Sequence, residues 1–81
     1  MSRKEGQKRK LLVLLEILAR ETDEKHPLSV PQLVEKLQEH GVVAERKSVY
    51  DDLRLLESFG MDVETVKGRQ FGYYLGERTF Q

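Results

Sequence analysis

The sequence predicts a mainly α domain, three helices closed by a two-stranded β-hairpin. Three observations carry that reading. Apolar residues recur at helical spacing in three separate stretches, and a glycine follows the second and the third. After the third, the period drops from about 3.6 to about 2 over DVETV and FGYYL. A chain of 81 residues suits one small domain, burying roughly two-thirds of its unfolded surface on folding.

The first helix is expected over about residues 3–21, because Leu11, Leu14, Leu15 and Leu18 form one stripe at i, i+3, i+4 and i+7. Ser2 and Glu5 have the spacing of a capping box, whereas Gly6 predicts a frayed start before Lys8. Val13 and Ile17 widen the stripe, so this helix is either central to the core or meets a second subunit. Pro27 pushes His26 out of helical geometry and closes the connection. The second helix is expected over about residues 30–40. Ser29 and Gln32 form a reciprocal cap, Leu28 and Leu33 occupy staple positions, Pro31 fits the first turn, and Gly41 supplies a left-handed stop.

The third helix is expected over about residues 45–59. Val49, Leu53 and Leu56 commit one face to the core, with Phe59 extending the line, and Gly60 with Met61 reads as a Schellman stop. Its opposite face is polar: Lys47, Tyr50, Asp51 and Arg54 fall at i, i+3, i+4 and i+7, with Arg46 and Ser48 at the entry turn. A hairpin over about residues 61–76 follows, with a basic tip, KGRQ. Phe71, Tyr73 and Leu75 alternate onto one face, which assigns them to the core.

Composition narrows the function classes. Net charge is zero, with 14 basic and 14 acidic residues, so composition by itself does not indicate a nucleic-acid partner. The distribution is uneven, however: Arg3, Lys4, Lys8, Arg9 and Lys10 crowd the start, while Glu21, Asp23 and Glu24 form an acidic knot elsewhere. Without cysteine there are no disulfides, thiolate metal sites or catalytic thiols, and a reducing cytoplasm is the natural compartment. The basic start and LLVLLEILA do not make a signal peptide, because Glu16 and Arg20 interrupt them and no small-residue cleavage site follows. His26 and His40 are isolated, so no metal or other cofactor is expected. Asp51 and Asp52 are helix neighbours pointing about 100° apart, which argues against paired acid/base chemistry and against an enzyme. Asp51 faces outward, where it could accept from a cytosine amino group, and Asp52 is assigned a polar contact within the fold.

Helix, turn, helix and hairpin in this order are the parts of a winged helix-turn-helix (HTH). Arg46, Lys47, Ser48, Tyr50 and Arg54 then occupy the zone that enters a major groove, and Lys67 and Arg69 on the hairpin tip lie along the adjacent backbone or minor groove. The run ERKSVYDDLRLLESFGMDVE, with HPLSVPQLVEKLQEHGV before it and FGYYLGERTF after it, resembles the N-terminal winged helix-turn-helix of bacterial transcriptional regulators that carry a WYL domain. The most specific part is Ser48, Val49, Tyr50, Asp52 and Leu53, together with Gly72 to Leu75. Asp51 stands where that family's recognition helix often has an arginine.

The resemblance implies sequence-specific double-stranded DNA binding in transcriptional regulation, and a C-terminal sensing region that normally follows, so that residues 1–81 form one domain of a longer regulator. A homodimer through the first helix or through that C-terminal region is a further expected partner; a membrane is not. The rival reading is a winged-helix protein-interaction or dimerisation module that never touches DNA. In that case the wide Leu and Val stripe of the first helix and the hairpin make a subunit contact; separately, the bland reading of Arg46, Lys47 and Arg54 is a solvated helix face with local ion pairs to Glu45, Asp51 or Glu57. An RNA-binding module is a weaker third reading, since no aromatic platform is visible on an exposed sheet.

Overall fold

A computed structural model describes residues 2–67 and 71–76, with side chains from Lys8 onward. Three helices, α1 (Ser2–Glu21), α2 (Val30–Glu39) and α3 (Arg46–Ser58), are followed by β1 (Val63–Val66) and β2 (Gly72–Leu75). The two strands pair antiparallel, with Val63 opposite Leu75 and Thr65 opposite Tyr73. The architecture is the expected three helices and hairpin, with the shape of a winged helix-turn-helix. Among the described residues, no helix is long and apolar enough to cross a membrane.

Local chemistry sets most boundaries. At the start of α2 the Ser29 hydroxyl accepts from the Gln32 N–H at 3.3 Å, and the Gln32 side chain accepts from the Ser29 N–H at 2.8 Å, so two orphan donors are satisfied reciprocally. Both α2 and α3 end in Schellman motifs. Gly41 (φ 78) donates to the Gln38 carbonyl and Val42 to that of Leu37; Gly60 (φ 95) donates to Glu57 and Met61 to Leu56. Only glycine takes those φ values without a Cβ penalty. Glu45 and Phe59, expected inside the third helix, are its N-cap and C-cap.

Three expectations are corrected. The α1 backbone is helical from Ser2 straight through Gly6, rather than frayed before Lys8; the Ser2 and Glu5 side chains lie outside those described. Phe59 does not extend the buried line of α3: at the C-cap (φ −87, ψ 2) the chain leaves the helix, and the ring is 69% exposed. Phe71 precedes β2 and is 43% exposed, leaving Leu75 buried and Tyr73 half-buried on that face.

The core is one cluster. Leu14, Ile17 and Leu18 of α1 meet Val30, Leu33 and Leu37 of α2 and Val49, Leu53 and Leu56 of α3, with Val42 and Leu75 closing the ends. Each such side chain withdrawn from water stabilises the fold by about 1.5–3 kcal/mol before the cost of ordering it.

Two devices fasten the hairpin to the helices. Leu28, between α1 and α2, exchanges both main-chain hydrogen bonds with Tyr73 (2.9 and 2.7 Å), so β2 has a one-residue third neighbour on its outer edge. Thr22, the buried polar residue just past α1, donates to the Leu18 carbonyl at 2.6 Å and accepts from the Leu75 N–H at 3.1 Å. Gly72 is required for this seam, because a Cβ there would lie 2.8 Å from the Pro27 Cβ and 3.1 Å from the Leu28 nitrogen. Gly72→Ala should therefore cost about 1–3 kcal/mol through forced backbone separation. Urea denaturation reads the loss directly, and an unchanged midpoint would show that the seam yields freely.

Candidate nucleic-acid interface

The exposed side of α3 follows from its buried side. With Val49, Leu53 and Leu56 turned inward, helical spacing sends Lys47, Asp51 and Arg54 outward, and all three are exposed, as is Arg46. On one flank of this face, Tyr50, Leu53, Arg54 and Glu57 share a cleft of about 310 Å³ with Val63, Thr65 and Tyr73 of the hairpin. Of the candidate residues on α3, Tyr50 and Arg54 line this cleft, whereas Arg46, Lys47 and Asp51 do not. Tyr50, 43% exposed, packs edge-on against Tyr73 (ring centroids 6.4 Å apart), and Tyr73 packs edge-on against Phe71 at 5.5 Å. The Tyr50 ring therefore rests on the hairpin. Burial pushes the Tyr73 hydroxyl above the usual tyrosine range, with Tyr50 adding to the effect, so it remains a protonated donor at neutral pH.

Strand alternation continues the row from Val63 and Thr65 to Lys67, which is exposed one residue past β1. The alternate face is acidic: Glu64 lies opposite Tyr74, and its carboxyl is held above the usual range by a hydrogen bond to Asp62 and by that group's charge. Only the Thr65 side of the hairpin suits a polyanion. Arg69 and the glycine of the expected tip lie outside the described residues.

Among the described residues, Arg46, Lys47, Arg54 and Lys67 form no ion pair within 4.0 Å; the lysines and arginines that do are Lys10, Arg20 and Lys36. The local pairs with Glu45, Asp51 or Glu57 that would occupy this face are therefore not made. The acidic knot is engaged elsewhere: Glu21 holds Lys36 at 3.0 Å, and Asp23 accepts from His26 at 2.9 Å.

Ser48 is placed differently from the other candidates. It is half-buried on the opposite flank of α3, where its hydroxyl accepts from the Lys10 ammonium. That ammonium also lies 3.1 Å from Asp52 Oδ2, with the two side chains only 14% and 15% exposed. Lys10 thus ties the basic start of α1 to the first turns of α3, a role its place in a run of surface-like charges concealed. The signal available was Asp52 itself, an acid on the inward side of a helix in need of a counter-charge. Among the described residues, no three His, Cys, Asp or Glu side chains are grouped to hold a metal.

No family model, curated protein or solved structure matches the chain. Its fold is one generally compatible with nucleic-acid or protein partners, and the character of this face has to be argued from its own residues.

Proposed function

We propose that the domain binds double-stranded DNA sequence-specifically, without catalysis, as the DNA-reading part of a cytoplasmic bacterial transcriptional regulator of the WYL-domain type. The observation that supports the reading is the shared cleft of α3 and the hairpin, with Tyr50, Arg54 and Glu57 on one wall and Thr65 and Tyr73 on the other, and with Lys67 exposed two residues beyond Thr65. A major groove admits one helix, whose exposed first turns here carry Arg46, Lys47, Asp51 and Arg54. A duplex seated on them would meet Lys67 along the neighbouring backbone, adding affinity without base preference. Asp51 accepts from a cytosine amino group in this scheme and repels phosphates from wrong registers. Ser48, facing α1, contributes by fixing the helix rather than by touching a base.

Fluorescence anisotropy of a labelled duplex titrated at several salt concentrations tests this. Log affinity should fall linearly with log salt, each phosphate contact adding about 0.9 to the slope. No detectable affinity at low ionic strength would sink the proposal and leave a protein-interaction module as the reading.

A further inference from the structure

Phe71 is exposed on the side of the hairpin that faces the helices. Val63 with Leu75 and Thr65 with Tyr73 are the paired residues of that side, and one more step of the register sets Lys67 beside Phe71. The Phe71 ring packs edge-on against Tyr73, which packs edge-on against Tyr50 in the second turn of α3. Three rings therefore run in a row from the helix to the wing. Tyr50 and Tyr73 line the cleft of α3 and the hairpin, and Phe71 lies beyond that lining, 43% exposed. Tyr73 is fixed in turn by its two main-chain hydrogen bonds to Leu28, so the row is preformed. An edge-on neighbour sets the plane of the Phe71 ring and leaves a ring face open.

We propose that Phe71 touches DNA, its open ring face packing on deoxyribose edges of the backbone that Lys67 holds at the minor groove. The contact rests on the duplex binding proposed above and adds an apolar element to it. Charge selects the occupant. Lys67 and Arg54, the cations of this side, form no ion pair within 4.0 Å among the described residues, and Glu57, the acid of the cleft, belongs to the last turn of α3. Free cations beside an exposed ring match a strand in which phosphates alternate with sugars; an apolar protein surface would leave both charges desolvated and unpaired. The rings stand edge-on to one another and Tyr73 is half-buried, so they make no flat platform for unstacked bases, which favours a duplex over a single strand. A ring held in place before binding adds contact area at little cost in ordering.

Duplex titrations of variants of the 81-residue chain test the contact. Phe71→Ala should weaken binding about fivefold on every sequence, the effect of no longer burying the exposed part of a phenyl ring. It should leave the salt slope unchanged, because a neutral ring releases no counterion, whereas Lys67→Ala should lower the slope by about 0.9. The chain contains no tryptophan, so Phe71→Trp supplies a single indole whose emission should change on saturation with duplex. Equal affinity of wild type and Phe71→Ala, or an indole emission indifferent to bound duplex, would overturn the contact while leaving duplex binding intact. A loss that carries the salt slope down with it would overturn it too, since Phe71 would then be holding the wing in place rather than touching DNA. No affinity in the wild type would remove the duplex reading and this contact together.

Discussion

Lys10→Met should destabilise the domain by about 2–3 kcal/mol. The lysine is the counter-charge of Asp52, whose buried Oδ2 it approaches to 3.1 Å, and it also donates to Ser48. Methionine keeps the apolar stem and removes only the charge. A carboxylate only 15% exposed is then left without its counter-charge. Removing one partner of a fully buried pair costs about 3–5 kcal/mol, and the residual exposure of this pair lowers the expectation. The converse follows from the same physics: Lys10→Met combined with Asp52→Leu should recover most of the loss, since two apolar groups leave no charge unpaired. Urea midpoints at constant slope read both effects. A single-mutant cost below about 0.5 kcal/mol would mean that water reaches the pair freely, as in an exposed ion pair.

Arg54→Ala should weaken duplex binding by about 1–3 kcal/mol if the guanidinium meets a base edge, a loss of roughly 5- to 150-fold. Arg54 is exposed and forms no ion pair among the described residues, so its removal should leave folding stability within about 0.5 kcal/mol. That separation makes the binding loss interpretable. Arg54→Lys should recover the charge but not the two-pronged geometry, and so restore the salt slope before the sequence preference. Competition between the preferred duplex and unrelated duplexes distinguishes the contacts. A loss equal on every sequence assigns Arg54 to phosphate, and no loss on any removes it from the interface.

Short-range chemistry explains which features were readable in advance. The reciprocal cap of Ser29 and Gln32 and the glycine stops at Gly41 and Gly60 depend on residues at most five positions apart, and each forms as its spacing requires. The polar face of α3 was equally plain, because burying Val49, Leu53 and Leu56 leaves Lys47, Asp51 and Arg54 no other direction. Phe59 and Phe71 misled for a common reason: periodicity was carried one residue past the element that imposes it, to a cap and to a strand entry.

Sequence alone determined the order of the elements, the glycine stops of α2 and α3 and the face each helix turns to the core, because turn chemistry and apolar period act over a few neighbouring residues. Tertiary structure decided what those residues meet across the chain: Leu28 pairing with Tyr73, Thr22 bridging α1 and β2, Lys10 neutralising Asp52, and Tyr50 resting on the hairpin. Partners separated by tens of residues leave no periodic trace, and a lysine in a basic run reads the same whether it faces solvent or a buried carboxylate. Only the packing of one helix against another distinguishes the two.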